Sequence, residues 1–146
     1  MTGGASDPLE WLHKARQDAR SARRLLTAPP EREVAAYHLQ QAAEKAINAL
    51  LTAAGIKYPR GKGAGHDLDA LAGLVPVTNA LQGQALSLSN LTPWATAFRY
   101  PADDPMTAQP VPDEGEILKI LGDVETFVEA VVRQVERAAP DGRRGS

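Results

Sequence analysis

His38, Gln41 and Lys45 stand at i, i+3 and i+7, a spacing that puts all three on one face of a helix. A lysine ammonium supplies charge for a phosphate, and an amide and an imidazole supply hydrogen bonds to a phosphate or a base. The same residue types also fit a plain structural use, in which Lys45 and Glu44 make salt bridges and Gln41 bonds a neighbouring helix. A second candidate is the segment 57–65, where Lys57, Arg60 and Lys62 are interleaved with Gly61, Gly63 and Gly65. Backbone amides beside glycines approach an anion closely, so this loop is either a phosphate site or a solvated basic linker. It is no P-loop, because no strand precedes it and no Gly-Lys-Ser/Thr follows. His66 next to Asp67 either contacts a ligand or caps the helix that follows. Arg99 and Tyr100, fixed at their exit by Pro101, make a third place where a cation could reach a phosphate or pair with Glu44 or Asp67. Arg16, Arg20 and Arg23 form a basic stripe, which either extends a surface toward nucleic acid or is an exposed helix face.

Catalytic options are few. Acid–base work without a metal needs a histidine or carboxylate within reach of the moving proton. The chain has three histidines, and the catalytic candidates among them are His38 and His66. Each has an arginine six residues before it, Arg32 and Arg60, a coincidence that eleven arginines produce by chance. There is no cysteine, which removes disulfides, thiolate metal sites and cysteine nucleophiles. No metal or cofactor is implied.

The elements that must position these residues are helical. Among 146 residues there are 25 alanines and 16 leucines but only 5% aromatics, a composition for helices rather than sheets. The length fits one domain, expected over 7–139, with disordered segments at 1–6 and 140–146. The net charge of −2 conceals an asymmetry. Residues 1–65 carry ten basic and six acidic side chains, and residues 66–146 carry six and twelve. No apolar run approaches the ~20 residues of a membrane span, and Met1 to Asp7 do not resemble a signal peptide, so a cytoplasmic location without membrane contact is expected.

Asp7-Pro8 announces a first helix with an apolar stripe of Leu12, Ala15, Ala19, Ala22 and Leu26, ended by Ala28-Pro29-Pro30. A second helix is expected from about Pro30 to Ala54, with Gly55 as its stop. Its apolar doublets, Ala35/Ala36, Ala42/Ala43, Ala46/Ile47 and Leu50/Leu51, imply several packing partners and a central place. Tyr37, His38, Gln41, Glu44, Lys45 and Asn48 make up its remaining, polar face. A short helix opens at Asp67 with Leu68, Leu71 and Leu74 inward, and further stretches restart at Pro76 and Pro93. Trp94 and Phe98, at i and i+4, read best as core. The last helix spans about Pro112 to Ala139, with Ile117, Leu121, Val124, Val128 and Val131 inward and Asp113, Glu114 and Glu116 in its first turn. The expected fold is all-α, an antiparallel up-and-down bundle of four to five helices.

The run Tyr37-His38-Leu39-Gln40-Gln41-Ala42-Ala43-Glu44-Lys45-Ala46-Ile47-Asn48-Ala49-Leu50-Leu51 resembles the signature of the HEPN domain, named for higher eukaryotes and prokaryotes nucleotide-binding. Trp11 with Ala15 and Asp18, then His66-Asp67-Leu68, then Arg99-Tyr100-Pro101, match further pieces of that family in order. The resemblance covers about residues 8–138. It implies a helical bundle, frequent homodimers, and links to nucleotides or RNA, to toxin–antitoxin or defence systems, and to a nucleotidyltransferase partner. Ribonuclease members of the family carry an arginine, four to six intervening residues, and then a histidine. After Arg99 the corresponding positions are Asp104, Pro105 and Met106, and no histidine follows His66. The resemblance therefore implies a module that binds a nucleotide, RNA or a protein without catalysis. A metal-independent endoribonuclease toxin and a structural homodimer or antitoxin-like protein are the alternatives.

Overall fold

A computed structural model describes residues 7–58, 67–98 and 108–138. Every element within them is helical: α1 (Pro8–Leu25), α2 (Arg32–Ala53), α3 (Leu68–Gly73), α4 (Gln82–Ser87), a 3₁₀ helix (Leu88–Ala95) and α5 (Glu114–Ala138). The all-α bundle expected from the sequence is what forms. The expected terminal segments and residues 59–66 and 99–107 lie outside the described residues.

Local chemistry sets the helix ends. Asp7 Oδ1 accepts the Leu9 N–H at 2.9 Å and Pro8 opens α1, where its missing N–H has no intrahelical role. Gly55 closes α2 at φ +71°, a left-handed conformation in which a side chain is strained. There Ile56 N–H reaches back to the Leu51 carbonyl at 2.9 Å and Gly55 N–H to Thr52 at 3.1 Å. Asp67 caps α3 through the Ala70 N–H. Asp113, expected inside the first turn of α5, stands just before it and accepts the Glu116 N–H at 2.8 Å.

α2 is the centre of the bundle, touching α1, α5, α3 and the 3₁₀ helix. Six of its alanines, Ala35, Ala36, Ala42, Ala43, Ala46 and Ala49, are fully buried. Small side chains let helix axes approach closely, which explains why α1, itself lined by Ala15, Ala19 and Ala22, packs so extensively on α2. α5 supplies the bulk: Ile117, Leu121, Val124, Phe127, Val128 and Val131 are buried against both. Burial of each such large side chain contributes about 1.5–3 kcal/mol before conformational entropy is subtracted.

Directions follow from the cross-links. Arg16 and Arg23 of α1 meet Glu129 and Glu125 of α5, so these two helices run antiparallel. Arg32, at the start of α2, donates to the Pro112 carbonyl just before α5 at 2.7 Å, so α2 and α5 begin at the same end. The broken segment from α3 to the 3₁₀ helix makes the return. Two expectations there need correction. Leu74 is 39% exposed rather than inward, because α3 ends at Gly73 and Val75 takes the buried place. Pro93 starts no new helix but sits inside the 3₁₀ helix. Trp94 is buried and Phe98 packs beside it, rings 6.3 Å apart, as core.

Candidate functional site

The site forms where α1 and α2 face each other, and a residue of α1 organises it. Asp18 lies on the edge of the apolar stripe of α1, and its side chain is only 12% exposed. Its Oδ1 accepts a hydrogen bond from His38 Nδ1 at 2.8 Å, and its Oδ2 accepts from Lys45 Nζ at 2.6 Å. Both partners come from α2, one at each side of the carboxylate. A buried carboxylate costs several kcal/mol unless paired, and this one is paired twice. His38 and Lys45 stay partly open, with side chains 28% and 24% exposed. A carboxylate is an acceptor only, so it places the ring proton on Nδ1. His38 Nε2 has no hydrogen-bond partner among the described residues.

Gln41, the third member of the expected polar face, takes a different direction. Its Nε2 donates to Gln40 Oε1 at 2.7 Å, and Gln40 Nε2 donates to Glu44 Oε1 at 3.3 Å. Gln40, Gln41, Glu44 and Asn48 are all buried, so of the expected polar face Gln41, Glu44 and Asn48 belong to the interior. Asn48 is 3% exposed, and its Oδ1 has no hydrogen-bond partner among the described residues. Further along, Thr52 Oγ1 and the Tyr58 hydroxyl are 3.1 Å apart. A buried polar seam therefore runs down α2 beside the Asp18 cluster.

The basic stripe of α1 also needs correction. Arg16 makes two hydrogen bonds to Glu129, at 2.8 and 2.6 Å, and Arg23 makes two to Glu125 at the same distances. The hydrogen bonds from Arg16 hold the Glu129 carboxyl below the ordinary carboxylate range, against a smaller opposing effect of partial burial. Donating to Glu129 and Glu125 in turn raises the pKa of the two guanidinium groups. Two of the three arginines are thus neutralised in place. Arg20 is exposed between them, along a groove of about 230 Å³ floored by Ala19 and Val128.

Arg32 and His38, six apart, do not meet: Arg32 is held by the Pro112 carbonyl and His38 by Asp18. Lys57 is exposed. Arg60, Lys62, His66, Arg99 and Tyr100 lie outside the described residues. Among the described residues no group of three or more side chains has the makings of a metal site, and no helix is long and apolar enough to cross a membrane.

The family model of the HEPN domain matches residues 9–135, from the second residue of α1 to near the end of α5. The chain is a member of the HEPN domain family. Neither the curated proteins nor the solved structures contain a match. In this HEPN domain the polar residues of α2 divide in two. His38 and Lys45 bind back to Asp18 of α1. Gln40, Gln41, Glu44 and Asn48 form the interior seam.

Asp18 is the site residue that sequence reasoning passed over as a functional group. A signal was present: an ionisable residue at the boundary of an apolar stripe, facing a helix that carries one histidine and one lysine at i and i+7.

Proposed function

We propose that the protein is a HEPN module that binds a nucleotide or a short RNA without cleaving it. The observation that carries this reading is the Asp18–His38–Lys45 cluster. One buried carboxylate fixes an imidazole and an ammonium at a partly open helix junction, leaving Nε2 and the further N–H groups of Lys45 for a ligand. Family membership supports the ligand class. The absence of cleavage rests on the sequence, since Asp104, Pro105 and Met106 occupy the place of the family's catalytic histidine. In the sequence, Lys57, Arg60 and Lys62 follow α2 closely and, with Arg99, supply further positive charge that suits a phosphate chain.

The test is binding of ATP, GTP and a short RNA at two salt concentrations. Saturable binding that weakens with salt, with the RNA recovered intact, is expected; absence of such binding ends the reading. An endoribonuclease is the second reading, favoured by one observation, the carboxylate-oriented histidine, which is how many general bases are held. RNA cleaved by the purified protein, and left intact by His38→Ala, would replace the first reading with the second.

A further inference from the structure

The Asp18 junction belongs to the long helices, and the segment from α3 to the 3₁₀ helix is attached to them unevenly. Its two ends are well seated. α3 and the 3₁₀ helix both pack on α2, and Leu68, Leu71, Leu91 and Trp94 are buried. The middle is held differently. α4 packs chiefly on α3 and the 3₁₀ helix, its own neighbours in the chain. Between α4 and α5 lies a groove of about 370 Å³, with Gln84, Ser87 and Leu88 on one wall and Asp123, Thr126 and Phe127 on the other. α4 is also weak as a helix. It has six residues, its N-cap Leu81 makes no side-chain cap bond, and Ala85 is its one buried residue. Helices this short do not stand without packing. Gly83 lowers the helix propensity further, and the space around it is open.

One pair of amides ties this middle to the bundle. Asn79 Nδ2 donates to Gln134 Oε1 at 2.9 Å, and Gln134 Nε2 donates back to Asn79 Oδ1 at 3.0 Å. The same Asn79 Oδ1 accepts the Leu81 N–H at 2.9 Å, so the pair holds the turn that leads into α4. Among the described residues, the other side-chain hydrogen bonds of 67–98 stay inside that segment, as between the Leu68 N–H and Thr92 and between Gln82 and the Val75 carbonyl. We infer that residues 76–87 form a flap that opens as a unit while the long helices stay folded, with the Asn79–Gln134 pair as its latch. Opening breaks the two amide hydrogen bonds and withdraws Leu81 and Ala85 from the core, where Leu81 already sits at the edge, 8% exposed. The seats of α3 and the 3₁₀ helix on α2 stay in place. Global unfolding, by contrast, exposes the fully buried alanines of α2. Openings so unequal in the surface they expose separate into local and global events. Opening the flap widens the groove and bares Phe127 of α5, which the closed protein hides.

Hydrogen exchange followed by NMR in rising urea tests this. Ala85 and Leu88 report on the flap, because both amides are hydrogen-bonded in it, and Ile47 and Leu50 report on α2. In the wild-type protein the flap amides are expected to exchange about a hundredfold faster than those of α2 and to respond little to urea, since a local opening exposes little surface. Gln134→Ala removes the latch and leaves the Asn79–Leu81 turn, and the flap amides are expected to speed up about tenfold, equivalent to about 1.4 kcal/mol. Asp18→Ala weakens the bundle elsewhere, so it speeds the α2 amides and leaves the flap amides unchanged. Flap amides that exchange at the rate of α2, with the same response to urea, overturn the inference. So do flap amides that keep their rate in Gln134→Ala, since the opening then does not pass through the latch. The wild-type urea series needs neither variant to fold.

Discussion

Arg16 and Asp18 are two residues apart on α1 and live under different physics. Arg16 faces α5 and meets Glu129 with both side chains nearly half exposed, at 43% and 46%. Asp18 faces α2 and is buried between His38 and Lys45. Water screens the first pair, so its geometry can be ideal and its worth small. Asp18 has exchanged its hydration for two protein partners, so removing either side leaves an uncompensated group in a dry place. The α1–α5 pairs help to register two helices. The α1–α2 cluster commits an otherwise alanine-lined interface to a polar arrangement that must stay paired.

The comparison breaks most visibly at Asp18. Asp18→Ala leaves Lys45 and His38 without their acceptor and is expected to lower unfolding stability by about 3 kcal/mol, read from urea denaturation. Lys45 can swing toward solvent, which keeps the loss at the lower end of that for a broken buried pair. A next effect comes from the alanines that surround the cluster. Ala46→Leu adds volume to a fully buried position and is expected to cost about 2 kcal/mol by the same measurement. Asn48→Leu goes the other way. It removes a buried amide oxygen that lacks a partner, and a gain of about 1 kcal/mol in a thermal melt is expected.

Smallest is the exposed side of the comparison. Glu129→Gln is expected to cost about 0.5 kcal/mol, an effect that fades in high salt, where the Asp18→Ala loss persists. Its pH dependence has a defined sign. The folded protein holds Glu129 below the ordinary carboxylate value, so the contribution of the pair is fully present above roughly pH 4.5 and is lost as the pH falls through the lowered value. The difference in stability between wild type and Glu129→Gln should therefore shrink with acidification below that range.

Helices were legible wherever the signal was local. Asp7-Pro8 marks the start of α1 and Gly55 the end of α2, because caps and stops are written in adjacent residues. The apolar doublets of α2 announced a central helix, since width of an apolar arc depends on that helix alone. Pairings over distance were not legible. Nothing near Arg16 or Arg23 in the chain indicates Glu129 and Glu125, more than a hundred residues away, so a neutralised stripe read as a basic one. Burial within the polar face of α2 is illegible for a related reason. Gln41, Glu44 and Asn48 are polar in type, and only the packing of other segments decides that they are buried. At the site, His38 and Lys45 were visible as a helix face. Asp18, which gives that face its chemistry, was visible only as a residue of α1 in a family pattern.

The central claim is that ligand meets the protein at the Asp18–His38–Lys45 junction. Its most direct test is titration of a short RNA into the protein while the ring resonances of the three histidines are followed by NMR. The expected result is a saturable shift confined largely to His38, with His13 unmoved and the RNA intact. RNA binding that saturates while the His38 ring stays unchanged would contradict the claim.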